Sequence, residues 1–159
     1  VANYLKNLVE EMLKQDLENE YILFFSSLRG TMPTLTIPTH AKVSLKQFKF
    51  PPTFLDFLWN TLHIAPIEWF IGNVDVYMTS DWTEPPVKRA KKVTIIYDTT
   101  VYSFPSETAK KIQDVQKRKN KWVEKESDRI LTISQSAKKD IERILKIPEK
   151  KIVVVYPGV

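Results

Sequence analysis

Cysteine is absent from the 159 residues, and histidine occurs only at His40 and His63. The first absence removes disulfides, thiol nucleophiles and cysteine zinc sites; the second leaves no His-Glu-x-x-His pair. Glycine is nearly as scarce, with three copies at Gly30, Gly72 and Gly158. No two lie close enough for Gly-x-Gly-x-x-Gly or a P-loop, in which clustered glycines let backbone N–H groups close on phosphate. A phosphate cradle would have to come from elsewhere. Apolar runs stay far below the roughly 18 residues that cross a bilayer, and no signal-peptide pattern opens the sequence. There is neither Asp-x-Asp nor a histidine cluster.

What is present is ordinary for one soluble α/β domain: 43% hydrophobic and 27% charged residues, with 24 Lys+Arg against 19 Asp+Glu and a net charge of +5. A domain of this length buries roughly two thirds of the surface its unfolded chain exposes, enough for an independent core. The lysines are dispersed, and only Lys117-Arg118-Lys119-Asn120-Lys121 forms a tight basic run, read as a solvated helix face. The chain opens on Val1, already inside helical pattern, and stops at Tyr156-Pro157-Gly158-Val159; both ends are expected to be cut.

Helix and strand signals alternate. Val1, Tyr4, Leu5, Leu8, Val9, Met12 and Leu13 fall on one face of a helix over residues 1–15. Tyr21 to Phe25 reads as a strand buried on both faces, and residues 28–40, with Gly30, Pro33 and Pro38, as loop. Ala41, Val43 and Leu45 alternate with polar residues, as in a half-exposed strand near a sheet edge. Pro51-Pro52 opens a helix through Leu62, Pro66 interrupts it, and Gly72-Asn73 stops the continuation through Phe70. Strands are expected at Val74–Met78, Val93–Tyr97, Ile130–Ile133 and Ile152–Tyr156, with a helical turn after Pro85-Pro86. A basic helix over 107–126 and a helix from Ser136 to Pro148 connect the last three.

That rhythm predicts an α/β parallel sheet covered on both faces by right-handed crossovers. Ligands of such sheets bind beyond the carboxyl ends of the strands. The rule collects Ser26, Ser27 and Arg29; Thr79, Ser80, Asp81 and Trp82; Tyr97, Asp98, Thr99, Thr100 and Tyr102; and Ser134, Gln135 and Ser136. Helix N-termini beside them suit an anionic or polyhydroxylated ligand. Each group has a plainer reading. Asp98 before two threonines closes an Asx turn, Ser134 and Ser136 cap a helix, and Trp82 anchors a loop by its indole. His40 and His63 are taken as structural. Glu10 and Glu18 show a Glu-x7-Glu spacing used by some sugar-nucleotide enzymes, but on and beyond the first helix, where it is coincidental.

Several segments, in order, resemble one family: Asn7-Leu8 in a helical Tyr-x3-Leu pattern; Val74-Asp75-Val76-Tyr77 leading to Pro85-Pro86; Lys92 to Asp98; Phe104-Pro105; Ser127 to Ile141; and Lys151 to Val159. Together they are similar to the N-terminal domain of group 1, or family 4, glycosyltransferases. The resemblance implies residues 1–156 as a Rossmann-like doubly wound parallel-sheet domain, the N-terminal, acceptor-side half of a GT-B fold, and 157–159 as the start of a linker, hinged at Pro157 and Gly158, to a donor-binding domain that is absent. It implies a retaining glycosyltransferase that moves a sugar from a nucleotide-sugar donor to a sugar or lipid-linked acceptor, with no metal and no other cofactor expected, consistent with the missing Asp-x-Asp and histidine cluster. Tyr97 and Asp98 are the catalytic pair it points to, with Ser80, Asp81, Thr99, Thr100 and Ser134 around acceptor and donor.

Two departures accompany it. The family opens with a strand and glycine loop before the first helix, so the first strand is expected to be missing and the isolated fragment unstable and inactive. The family commonly has His-Asp where this chain has Tyr97-Asp98; a phenol donates a hydrogen bond at neutral pH but does not titrate as imidazole does. The alternatives are a non-catalytic α/β module whose basic helix, Lys110 to Lys125, contacts a membrane or polyanion, and another GT-B enzyme such as a sugar-nucleotide epimerase. Nucleic acid is not an expected partner. The expected location is the cytoplasm, with peripheral contact at the inner membrane face through Lys110–Lys125.

Overall fold

The computed structural model describes residues 2–30, 34–80 and 82–158. The readings that fall on Val1, Pro33, Asp81 and Val159 therefore lie outside the described residues. Contacts within the chain gather into two compact units, Val1–Phe54 with Gly158–Val159, and Leu55–Pro157.

The first unit contains α1 (Ala2–Gln15), β1 (Glu20–Ser26) and β2 (Lys42–Phe48). β1 and β2 pair in parallel from Glu20↔Lys42 to Ser26↔Phe48. The helix ends where Asp16 turns its carboxylate onto the chain that follows, accepting from Glu18 N at 3.0 Å, Asn19 N at 3.1 Å and Tyr21 Oη at 2.5 Å. Those donors hold the Asp16 carboxyl far below the usual carboxylate range, while burial and then the hydrogen bond to Asp16 push the Tyr21 phenol up to about 12. The strand expected to be buried on both faces is only half-buried along Tyr21–Ser26. A sheet of two strands has too little area to be covered as a central parallel strand would be. Phe24, Phe48, Phe50 and Phe54 instead form a run of neighbouring rings with centroids 5.5 to 5.6 Å apart.

α2 (Pro52–Leu55) passes into a π-helix, Asp56–Thr61, where an unbroken α-helix to Leu62 was expected. The wider turn is visible as Leu62 N donating to Phe57 O at 2.9 Å. After α3 (Glu68–Ile71), Gly72 stops the helix at φ 89°, a conformation open to glycine. β3 (Val76–Thr79), β4 (Lys91–Ile95), β5 (Arg129–Thr132) and β6 (Ile152–Val154) form one parallel sheet in that order. α4 (Thr100–Ser103), a 3-10 turn at Pro105–Glu107 and α5 (Lys110–Glu126) connect β4 to β5; α6 (Gln135–Leu145) connects β5 to β6. The register Thr79↔Thr94↔Ile130↔Ile152 places these four residues on one face. Ile130 and Ile152 share a core with Val123 of α5 and Ile141 and Leu145 of α6, so both crossover helices lie on that face, as same-handed sequential crossovers require.

Four local expectations are corrected here. β4 begins and ends two residues earlier than the apolar run Val93–Tyr97, leaving Tyr97 beyond the strand. No helical turn follows Pro85-Pro86; the backbone N–H groups of Lys88, Arg89 and Ala90 donate instead to Glu68 Oε1, at 2.8, 3.1 and 3.3 Å. The last long helix is capped by Ser134, with Ser136 inside its first turn. Lys119 and Asn120, read as part of a solvated face, are 3% and 5% exposed. The fully buried Glu84 attracts Lys119 as well as Lys92, and Asn120 Nδ2 donates to Tyr102 Oη at 3.4 Å.

Candidate functional site

Because the four-stranded ladder is parallel and in register, the carboxyl ends of its strands share one edge, about 4.8 Å per strand. Ser80 follows β3, Tyr97 and Asp98 follow β4, and Ser134 follows β5, in that spatial order. The sheet extends its bonding past the regular strands there: Ile96 N donates to Leu131 O at 2.9 Å and Val155 N to Thr132 O at 2.8 Å. Tyr97 is half-buried and Asp98 exposed at this edge.

The predicted residues separate into those that face outward and those that hold backbone. Asp98 Oδ1 accepts from Thr100 N at 2.8 Å, so the Asx turn is formed, while Asp98 and Thr100 remain exposed. Thr99 is 4% exposed, and its carbonyl accepts from Tyr102 N and Ser103 N at 2.9 and 3.1 Å. It closes α4 from the inside and does not present its side chain to solvent. Ser134 Oγ accepts from Ala137 N at 3.1 Å, leaving its hydroxyl proton for another acceptor. Ser80 is half-buried directly after β3, Asp81 lies outside the described residues, and Trp82 is 45% exposed, contrary to a buried anchoring indole. Pro157 closes the second unit and Gly158 is grouped with the first. Of the first unit's strand-end residues, Ser26 Oγ meets Phe50 N at 3.2 Å and Ser27 Oγ accepts from Gly30 N at 2.7 Å.

Sequence reasoning missed the polar layer that fixes this edge. Asn60, 2% exposed on the π-helix, donates from Nδ2 to Asp56 Oδ1 and to Trp82 O, both at 2.8 Å, and accepts from Glu84 N at 2.9 Å through Oδ1. Thr79 Oγ1 donates to Thr83 O at 3.1 Å. The loop leaving β3, which carries Ser80, is therefore tied at Thr83, Trp82 and Glu84. Beneath it Lys92 Nζ lies 3.4 Å from Glu84 Oε1 and 2.9 Å from Glu126 Oε2, with Thr94 Oγ1 donating to Glu84 at 2.9 Å. Burial pushes the Glu84 carboxyl up against the pull of Lys92, whereas at Glu126 the hydrogen bonds from Lys92 and His63 outweigh burial and hold the carboxyl down. His63 also touches Trp59 O at 2.8 Å and Glu126 at 2.7 Å, a structural role as the sequence suggested; His40 reaches Leu13 O at 3.1 Å. The available signal was period two: Lys92 and Thr94 alternate with Val93 and Ile95, marking polar residues on an inward face.

Chemically, the edge offers the Asp98 carboxylate and the Ser80 and Ser134 hydroxyls, spaced by strands, while the Tyr97 phenol oxygen is buried. Such groups orient ligand hydroxyls. Two concavities lie elsewhere, one lined by Met12, Asp16 and Tyr21, the other by Glu68, Asp75, Lys88 and Arg89. Compared with known proteins, residues 1–159 match the family model described as Glycosyltransferase Family 4. No curated protein and no solved structure matches the chain.

Proposed function

The chain belongs to glycosyltransferase family 4, and from that premise we propose that it forms the acceptor-side half of a retaining transferase acting on a nucleotide-sugar donor. The observation that carries this reading is the alignment of Ser80, Tyr97, Asp98 and Ser134 along one strand-end edge. Family membership supports glycosyl transfer in general; donor, acceptor and stereochemistry belong to the proposal.

Breaking a sugar–diphosphate bond develops positive charge at the anomeric centre and negative charge on the leaving phosphate. Asp98, exposed beside that centre, favours the former, the Ser134 proton orients acceptor or sugar hydroxyls, and the Tyr97 phenol, whose oxygen is buried, supports the same edge from within. Thr99 is removed from the direct contacts by its burial and acts through α4; Thr100 positions Asp98. The leaving phosphate is met by a second Rossmann-like domain, as in the two-domain arrangement the sequence resembles, with Pro157-Gly158 as the hinge. No residue of this chain is assigned to a metal. The residues 1–159 alone are expected not to catalyse transfer.

The test is single-turnover transfer by the full-length enzyme from a nucleotide-sugar. Tyr97→Phe should slow the step at least tenfold, about 1.4 kcal/mol of transition-state stabilisation. An unchanged rate removes Tyr97 from the site.

A further inference from the structure

A cavity of about 300 Å³ lies at the other end of the four-stranded sheet, lined by Glu68, Asn73, Val74, Asp75, Lys88 and Arg89. Asp75 directly precedes β3, Arg89 stands two residues before β4, and Lys91 N donates to Asp75 O at 2.8 Å. The four residues of β3 separate this end from Ser80 by about 13 Å of strand. The transfer chemistry therefore uses none of these groups.

Glu68 is the most constrained of them. It is 8% exposed, and its Oε1 accepts the backbone N–H groups of Lys88, Arg89 and Ala90. Burial raises the Glu68 carboxyl, but those donors outweigh it and hold the group below its ordinary value, so it is charged. Its second oxygen, Oε2, is buried and has no hydrogen-bond partner. A charged acceptor left without a donor in a residue that lines a cavity is costly, and a ligand hydroxyl supplies what it lacks.

The remaining side chains are also uncommitted. Asp75, Lys88 and Arg89 are exposed, and among the described residues none of the three is held in an ion pair. Two carboxylates and two cations line one cavity, so a ligand of either net charge is attracted by one pair and repelled by the other. A sugar ring avoids that conflict. Each hydroxyl both donates and accepts, serving Glu68 and Asp75 as a donor and Lys88, Arg89 and the Asn73 amide as an acceptor. Trp69, next to Glu68 in α3, is 71% exposed and supplies an indole for the C–H face of such a ring. The volume is at the lower end for small-molecule pockets, which suits one sugar unit and not a longer chain.

We propose that Glu68, Asn73, Asp75, Lys88 and Arg89, with Trp69 beside them, bind one neutral sugar unit at the end of the sheet remote from transfer. The site holds a sugar without converting it. It goes beyond the transferase reading and stands independently of it.

The experiment is saturation-transfer NMR on the full-length protein, without a donor, titrated separately with the methyl glycosides of glucose, galactose, mannose and N-acetylglucosamine. At least one should bind. Asp75→Ala/Arg89→Ala, at an unchanged melting temperature, should bind it more weakly by about tenfold or more. Trp69→Ala should weaken it about fivefold. Asp98→Asn, at the transfer edge, should bind it as the unaltered protein does. Binding of none of the four glycosides, full binding by Asp75→Ala/Arg89→Ala, or loss of binding in Asp98→Asn overturns the proposal. Displacement of the bound glycoside by glycine or by inorganic phosphate marks a zwitterion or anion site and overturns the ligand class. Undiminished binding by Trp69→Ala overturns the part given to the indole. No transfer is measured, so failure here is distinct from failure of the transferase reading.

Discussion

The His63 imidazole lies flat on the Trp122 indole, 5° from parallel, and its Nε2 reaches the Glu126 carboxylate at 2.7 Å. Through this stack the loop after the π-helix is fixed to the end of α5. His63 adopts φ 54°, so the ring is presented from a left-handed backbone position that only surrounding contacts maintain. Trp122→Ala should remove the stack and leave the Asn60 carbonyl without its donor, costing about 3 kcal/mol in chemical denaturation. A loss under about 0.5 kcal/mol would show that the stack does not hold the segment.

Lys92 stands between two carboxylates with no exposed surface of its own. Lys92→Met leaves Glu84 buried without its partner, and stability should fall by about 3 to 5 kcal/mol. Adding Glu84→Gln should restore part of it, because an uncharged amide is less costly to bury than an unpaired carboxylate. Additive losses in the double variant, measured by urea denaturation, would contradict this coupling.

Acid sensitivity follows from three carboxylates of the second unit. Backbone donors hold Glu68 down despite its burial, the Lys92 N–H holds Asp128 down, and Lys92 with His63 holds Glu126 down. Their contribution is complete above the ordinary Glu and Asp values near pH 4, and is lost as pH falls through the lower folded values. Glu84, raised by burial, has the opposite sign: it favours the fold more as it becomes protonated. Stability measured from pH 6 downward should therefore drop chiefly below about pH 4. Glu68→Gln should flatten that drop, since the amide oxygen does not titrate. An identical acid profile would remove Glu68 from it.

Ser134 separates capping from ligand contact. Ser134→Ala should destabilise by about 1 kcal/mol through loss of the bond to Ala137 N, while Ser134→Asp should keep the cap. Equal thermal shifts in the two variants would rule out the cap as the source.

Much of this was legible in the sequence, where periodicity and length agree. α1, β1, β2 and the β5–α6–β6 unit follow from apolar spacing, and the strand-end rule located Tyr97, Asp98 and Ser134 on one edge. What was not legible depends on partners distant in the chain. The π-helix exists beside Arg118 and Trp122, more than 50 residues on, which bond Asp56 and Asn60. Lys119 is buried and interacts with Glu84, a residue distant in the chain, which no local pattern announces. The register error at β4 arose because Ile96 and Tyr97 continue the apolar run after the ladder with β3 has ended.

Asp98 offers the most direct test of the central claim, since its structural and proposed chemical roles separate. Asp98→Asn keeps an oxygen for Thr100 N and so keeps the Asx turn, but removes the negative charge. In the full-length enzyme, with a nucleotide-sugar donor, turnover should fall at least tenfold while melting temperature stays constant. Turnover within twofold of the unaltered enzyme would contradict a catalytic role for this strand-end carboxylate.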